Sequence, residues 1–485
     1  MGRKKLDLLI IKPGSQKELY GELSGGLTGL EPPLWAALLA AFVRGKGYAV
    51  ELVDAEVEPE GLKQVLADGD PRFIAIAVSG TNPSASTMNM IGARSILEEI
   101  RGSGVKAPTI LMGLHPSALP ERTITEEPVS MLCQGEGFHT LSGLLSGEEN
   151  GKIRGLWFRE GGRLLSNPMA ELIDPDGLPV PAYDLLPMGR YRAHNWHGWT
   201  NGNRRQPYGV IYTSFGCPYN CSFCCINALF GIHKIRQRDP ALVIGDIEYL
   251  VGNCGVRNIK IIDEMFAFRE AHVGKICDLI TERGLDLNIW AYARVDTISG
   301  KMLEKMKRAG INWLGLGFES GSKKVRDGVV KGRFGNEQAI EAAGMIREAG
   351  ISIVGNFIFG LPDDDAETMK ETLDLAKELN CEYANFYVCM AYPGSKLYDE
   401  TDPKDLPASW AGYSQFGYET KPLPTKRLSP AEILRFRDRA FQEYYTARRY
   451  QDMMLKKFGK ETLDEVKSML KYKLKRGLLG DRKDG

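Results

Sequence analysis

The sequence predicts an α/β protein: an N-terminal doubly wound, Rossmann-like domain, then a partial (β/α)6 barrel, with a mainly helical C-terminal region. Three observations predict it. Short apolar runs alternate with helix-length runs over the first 150 residues, and again from residue 208 to about 400. The turns after the first set of apolar runs are rich in Gly, Ser, Pro and His. Past residue 400 the alternation stops and a helix-capping signal takes over. Apolar strands that alternate with helices mean a parallel sheet with helices on both faces.

The elements follow in order. Strands are expected at 8–11, 49–53, 73–78, 109–112 and 130–133, with helices at 34–45 and 86–101. The turns Ser79-Gly80-Thr81, Gly113 to Ser117 and Gly135-Glu136-Gly137 fall at strand ends, where open parallel sheets bind ligands. Residues 151–205 carry less regular signal and are expected to link the two domains. Within them, 157–159 and 163–165 flank Glu160-Gly161-Gly162 as a hairpin. The stretch 174–187 holds four prolines and is expected to run extended over the surface. Residues 194–206 read as a loop.

Strands resume at 210–212, 258–262, 288–291, 313–317, 352–359 and 383–389. Helices start at Asp239-Pro240 and cover 299–308, 336–348 and 366–379. These units are too few for a closed eight-fold barrel, so the barrel over 206–400 is partial. In 401–485, Ser429-Pro430-Ala431-Glu432 is a capping box with proline at the first helical position. It launches one long helix towards Phe458.

Composition excludes several classes. Hydrophobic residues make up 43% of the 485, enough for substantial cores. Lysine plus arginine equals aspartate plus glutamate, 62 each, which gives no electrostatic case for a nucleic-acid partner. Basic residues gather over 448–483 and read as a solvated helical face. The apolar stretch after the basic start is too short for a signal peptide, and the run 35–43 falls far short of the ~20 residues that span a bilayer. The chain is therefore expected to be soluble and cytoplasmic, with no transmembrane segment. Four of the nine cysteines crowd into 217–225, which argues for a metal site rather than a disulfide framework.

The key segment runs Gly216-Cys217-Pro218-Tyr219-Asn220-Cys221-Ser222-Phe223-Cys224-Cys225, directly after a buried strand. Three thiolates at this C-x3-C-x2-C spacing can each hold one corner of a cubane and leave one iron open. Structural zinc wants four ligands, usually in two pairs, and no second pair exists here. Cys225 reads as a core residue.

This segment resembles the signature of radical S-adenosylmethionine (SAM) enzymes, with Phe223 as the aromatic residue of the last gap. The likeness extends over about 206–400. Asp263-Glu264-Met265-Phe266, Arg294 in Ala293-Arg294-Val295-Asp296, Gly317-Phe318-Glu319-Ser320-Gly321, the run from Gly355 to Pro362 and Tyr392-Pro393-Gly394-Ser395 are similar to the family's ordered motifs at strand ends. The resemblance implies a 4Fe–4S cluster on Cys217, Cys221 and Cys224. It implies SAM bound near Phe223, Asp263, Glu264, Arg294, Glu319, Ser320 and Gly360, and an electron donor such as flavodoxin or ferredoxin. Alternatives stand beside these roles: a solvated turn for Asp263 and Glu264, a structural ion pair for Arg294, and a helix-start carboxylate for Glu319.

Residues 1–150 resemble the cobalamin-binding domain of a large radical SAM subgroup. The carrying stretches are 31–36, 47–54, 113–121 and 135–137. The implied cobalamin site comprises Ser79, Gly80, Thr81, Gly113, His115, Gly135, Glu136 and Gly137. The Asp-x-His-x-x-Gly pattern is absent, since Asp54 is followed by Ala55-Glu56-Val57. His115 is the best-placed histidine on a strand-end loop; the other reading makes it a turn residue before proline.

The resemblance points to a cobalamin-dependent methylase acting on an unactivated carbon. Cyclisation, ring contraction or rearrangement on the same parts is the alternative. A methylthiotransferase needs further N-terminal cysteines, and only Cys133 lies there. A cluster or cobalamin sensor would need a DNA-binding or signalling module, and none is read. The substrate class stays open among lipid, sugar intermediate, peptide and antibiotic precursor. Trp410, Tyr413, Phe416, Tyr418, Phe436, Phe441, Tyr444, Tyr445 and Tyr450 are either core or substrate wall.

Overall fold

The computed structural model describes residues 3–80, 86–332 and 334–483, the side chain of Glu22 excepted. Strands β1 (Lys4–Lys12), β2 (Val50–Asp54), β3 (Gly69–Val78), β4 (Thr109–Gly113) and β5 (Met131–Cys133) pair in parallel in the order β2-β1-β3-β4-β5. The apolar run of β1 explains its central place. Leu8 and Ile10 pack with helices Leu34–Gly45 and Phe138–Ser146, while Leu9 and Ile11 pack with Pro59–Asp68 and Met90–Ser103. Both faces are covered, as a doubly wound sheet requires.

The expected hairpin forms β6 (Leu156–Glu160) and β7 (Arg163–Ser166). It joins β5 antiparallel and extends the first sheet to seven strands. The proline-bearing stretch after it is not a surface run. Leu178, Ala182, Tyr183 and Leu186 are buried in the main core, and Tyr183 Oη donates to Val210 O at 2.7 Å. The expected loop at 194–206 contains a short helix, Asn195–Gly198, whose Trp196 and His197 are buried. Thr200 Oγ1 accepts from Trp313 Nε1 at 2.8 Å and donates to Asn288 Oδ1 at 2.9 Å. An extended, proline-punctuated backbone has neither a 3.6 nor a 2-residue period, so its inward side chains leave no pattern in the sequence.

The second sheet contains β8 (Tyr208–Ile211), followed in the chain by a two-stranded ribbon, β9 (Ser214–Phe215) with β10 (Arg236–Gln237). Then come β11 (Asn258–Ile261), β12 (Asn288–Ala293), β13 (Ile311–Glu319), β14 (Ser352–Phe359) and β15 (Tyr383–Val388). The order β8-β11-β12-β13-β14-β15 is parallel throughout and open between β8 and β15, which is the partial barrel. Helices Asn336–Glu348 and Ala366–Leu379 fall where the sequence places them.

The capping box holds: Ser429 N donates to Glu432 Oε2 at 2.8 Å, and Ser429 Oγ accepts from Glu432 N at 3.3 Å. The single long helix does not. Helix Pro430–Thr446 ends at Ala447, whose ψ of 132° is extended, and Arg448–Met469 follows. Gly459, at φ 85°, interrupts that second helix. The turn lets Tyr444, Tyr445 and Tyr450 donate to the carbonyls of Cys381, Ala384 and Glu382 beside edge strand β15. These tyrosines are core, as are Trp410 and Tyr413. The basic stretch is not all solvated face either. Arg476 is fully buried, donating to Asp438 and to the carbonyls of Gln415 and Gly417. Among the described residues, no helix is long and apolar enough to cross a membrane.

Candidate functional site

A cavity of about 940 Å³ is lined by the carboxyl ends of both sheets. From the first sheet come Lys12 of β1, Asp54 of β2, Val78 with Ser79 and Gly80 beyond β3, and Gly113 of β4. From the second come Glu264 beyond β11, Arg294 beyond β12, Glu319 of β13, Asn356 of β14 and Tyr387 of β15. Cys217, Cys221, Phe223 and Cys224 line it from the loop after β9.

That loop is fastened from below. Buried Asp263 accepts from Thr213 N at 2.6 Å, Thr213 Oγ1 at 2.5 Å and Ser214 Oγ at 2.7 Å. Glu264 Oε2 accepts from Gly216 N at 2.9 Å. Gly216 sits at φ +85° with its Cα against Lys234 O, where an added Cβ would meet that oxygen at 2.4 Å, so only glycine fits. Glu264 Oε1 is buried and has no hydrogen-bond partner. Burial pushes the Glu264 carboxyl up to about 8. Asp263 thus acts as a tie between strand ends rather than a solvated turn.

The three cysteines are partly exposed, unbridged and on the cavity wall, while Cys225 is buried. Among the described residues, no three His, Cys, Asp or Glu side chains converge as ligands of one ion do. A structural zinc draws its ligands to about 2.0–2.3 Å from one centre, whereas a cluster takes each thiolate at a separate iron. Three thiols on one loop are the donor set of a cluster with one open iron, whereas a structural zinc takes four ligands. Burial pushes the Cys217 thiol up to about 11 and the Cys224 thiol up to about 12.

Glu319 lies at φ +61° and pairs with Lys331 Nζ at 2.8 Å. Arg294 donates from Nε to Asp296 Oδ1 at 2.9 Å and from Nη2 to Lys331 O at 2.5 Å. Its guanidinium stacks on Tyr219 at 3.8 Å, so the ion pair also braces the cysteine loop. Ser320 and Gly360 do not line the cavity. Ser320 Oγ meets Thr372 Oγ1 at 3.1 Å, and Gly360 N donates to Asp364 Oδ2 at 3.0 Å, beside Ile433.

Of the first domain's loops, Ser79, Gly80 and Gly113 line the cavity, and Thr81 lies outside the described residues. His115, Gly135, Glu136 and Gly137 do not line it. The His115 ring packs edge-on to Trp410 at 4.6 Å with Nδ1 at 3.2 Å from Thr87 Oγ1, and burial pushes it down to about 3. Gly135 N donates to Ser117 Oγ at 2.9 Å. Glu136 pairs with Arg236 at 2.5 Å and accepts from Ile173 N at 2.8 Å, which ties the first sheet to the β9–β10 ribbon. Gly137, at φ 93°, opens the helix Phe138–Ser146.

Sequence reasoning missed several wall residues. Lys12 meets Asp54 Oδ1 at 3.2 Å, and Tyr191 Oη donates to Asp54 Oδ2 at 3.1 Å. Glu31 Oε2 meets Lys260 Nζ at 2.9 Å, inside the barrel and beneath Trp290. Burial pushes the Glu31 carboxyl up and the Lys260 ammonium down, and their pairing opposes both shifts. The histidine that lines the cavity is His194, whose Nδ1 accepts from Gly29 N at 3.2 Å. A lysine within the apolar strand Asn258–Ile261 was the readable signal for the ion pair. Lys331 and His194 sit in irregular backbone and carry no such signal.

The arrangement defines a class: a doubly wound domain set over a cysteine-bearing partial barrel, with one cavity between them. Residues 211–376 match the radical SAM superfamily, and residues 25–145 match the B12 binding domain. The chain thus carries a radical SAM domain over residues 211–376 and, ahead of it, a B12-binding domain over residues 25–145. It is 28% identical to an uncharacterized methyltransferase of Pyrococcus horikoshii, over 91% of this chain and 93% of that one. It is 25% identical to the anaerobic magnesium-protoporphyrin IX monomethyl ester cyclase of Cereibacter sphaeroides, over 85% of this chain and 67% of that one. In fold it matches the solved radical SAM methyltransferase TsrM of Kitasatospora setae, with cobalamin and a 4Fe–4S cluster bound. There the TM-score is 0.66 at 18% identity, covering 92% of this chain and 89% of that one.

Proposed function

We propose that the chain is a cobalamin-dependent radical SAM methyltransferase that alkylates an unactivated carbon of a small molecule. One observation carries the reading: the carboxyl ends of both sheets, with three cysteines, line a single cavity. When bound, a cluster would supply the electron for SAM cleavage and cobalamin would supply a methyl carrier. Cys217, Cys221 and Cys224 would hold the cluster. Asp263 and Glu264 keep their loop in place, and the Arg294–Tyr219 stack stiffens it. Glu319, already set at φ +61° and paired with Lys331, would accept hydrogen bonds from SAM's hydroxyls or ammonium. Ser79, Gly80 and Gly113 have small side chains or none, so the backbone there can approach a large flat ligand. The largely apolar enclosure keeps water from reactive species.

With a strong reductant, anaerobically reconstituted protein is expected to release 5′-deoxyadenosine and methionine slowly from SAM. Glu319→Ala is expected to weaken SAM binding by about 1–3 kcal/mol, the size of a lost charge-assisted hydrogen bond. Unchanged affinity in equilibrium dialysis would remove Glu319 from the SAM site.

The likeness to the anaerobic cyclase supports a second reading, radical cyclisation without methyl transfer. SAM labelled in its methyl group separates the two, because only methyl transfer puts the label into product.

No histidine follows Asp54, and His115 faces Trp410. Bound cob(II)alamin is therefore expected to show an axial electron paramagnetic resonance signal without nitrogen splitting. This expects the cofactor's own base to be displaced as well; a triplet splitting would contradict it, and labelling the cofactor's base with nitrogen-15 would tell that base from a histidine such as His194.

A further inference from the structure

We infer that the substrate is an amphipathic anion, an apolar body whose acidic group rests on Arg439 and Lys473 at the cavity's rim. The inference rests on the reading of this cavity as the active site.

Basic side chains on the cavity wall outnumber acidic ones by one, seven against Glu31, Asp54, Glu56, Glu264, Glu319 and Asp438. Seven lysines and arginines line the cavity. Five are matched inside the protein: Lys12 with Asp54, Lys260 with Glu31, Arg294 with Asp296, Lys331 with Glu319 and Arg437 with Asp438. Arg439 and Lys473 are the exceptions. Both are exposed, and neither has a carboxylate partner among the described residues. Asp438, the wall acid beside Arg439 in sequence, is taken by Arg437 and Arg476. Arg439 only rests on the Phe436 ring, at 5.1 Å.

Much of the cavity wall is apolar. Leu23, Leu27, Phe416, Phe441, Met469 and Leu470 line the same cavity. They come from the segment after β1, from helix Pro430–Thr446 and from the end of Arg448–Met469. An apolar wall favours a ligand body that leaves water, and two unmatched cations favour a ligand that brings negative charge to the rim. A neutral hydrocarbon would leave the cations unused. A polar metabolite would leave the apolar wall unfilled. A carboxylate, phosphate or sulfonate on an apolar body satisfies both.

The test uses the reconstituted protein and three probes that share one chain: decyl phosphate, decanol and decyltrimethylammonium, each below its aggregation threshold. Tryptophan fluorescence reads the binding. At low ionic strength, decyl phosphate is expected to bind about tenfold more tightly than decanol, a gap that shrinks at about 0.5 M salt. The double variant Arg439→Ala, Lys473→Ala is expected to close the gap. Arg439→Glu with Lys473→Glu is expected to shift the preference to decyltrimethylammonium. Equal binding of phosphate and alcohol by the unmodified protein overturns the inference, as does a gap that survives the alanine variant. So does binding confined to phosphatidylglycerol vesicles, which would make the rim a membrane contact. So does loss of cobalamin from the alanine variant, which would assign the cations to the cofactor. Iron and cobalt contents of the same samples keep the outcomes apart. Fully loaded protein that ignores the head group refutes the amphiphile alone, and protein that takes up neither metal refutes the underlying function.

Discussion

Replacing Cys217, Cys221 and Cys224 together by alanine is expected to take anaerobically reconstituted protein from about four irons per chain to near zero. SAM cleavage should vanish with the iron. All three thiols sit on the cavity wall, and their loop is held at Thr213, Ser214 and Gly216 by Asp263 and Glu264. No neighbouring ligand set replaces them, because the next thiol, Cys225, is buried behind them. Cys225→Ala is accordingly expected to keep the iron. It removes a buried sulfur at a cost on the order of 1 kcal/mol. Iron analysis of the variants after gel filtration reads the difference. Iron retained by the triple variant, or lost from Cys225→Ala, would mean that the ligands are assigned wrongly.

Lys260→Met is expected to cost about 3–5 kcal/mol of stability, the largest single effect foreseen outside the cysteines. Lys260 is 1% exposed, and Glu31 reaches it from the other domain at 2.9 and 3.1 Å. Removing the ammonium leaves the Glu31 carboxylate buried without its closest cation; His194 Nε2 stands further off, at 3.9 Å. Burial pushes the His194 ring down to about 3, so it brings no charge at neutral pH. Changing both residues, Glu31→Met with Lys260→Met, is expected to cost much less than the single change, because no charge is then stranded. Denaturant unfolding of Lys260→Met, Glu31→Met and the double variant forms the cycle. A neutral Lys260→Met would show that the pair adds nothing to the join between the domains.

How much of this was legible in the sequence depended on period and spacing. The helices Leu34–Gly45, Asn336–Glu348 and Ala366–Leu379 and the strand Ser352–Phe359 were readable to the residue. There apolar periodicity, cap residues and terminal Gly or Asn agree with one another. The cysteine loop was readable because its spacing is set by chemistry. The region between the domains was not. Tyr183, Trp196 and Tyr191 reach the core from extended or single-turn backbone, where burial follows tertiary contact alone. The break at Ala447 was invisible for a related reason. Neither Gly nor Pro marks it, and it exists to place Tyr450 beside Glu382.

The wall of the cavity was partly legible. Ser79, Gly80 and Gly113 could be found because ligands of parallel sheets gather at strand ends, and Phe223, Glu264, Arg294 and Glu319 because their motifs resemble those of radical SAM enzymes. Ser320, Gly360, Gly135 and Glu136 share that sequence address, yet they make hydrogen bonds to other elements and do not line the cavity, and Gly137 opens the helix Phe138–Ser146. Sequence gives the strand end but not the direction in which a turn faces. Partner choice across domains, as between Glu31 and Lys260, was also out of reach, since 229 residues separate the two.

The central claim is that one cavity serves both a cluster and a cobalamin. Elemental analysis of protein reconstituted anaerobically with iron, sulfide and cobalamin, then freed of unbound metal, tests it most directly. The account predicts about four irons and about one cobalt per chain, with negligible zinc. One tightly held zinc with no iron, or a full complement of iron with no cobalt, would contradict it.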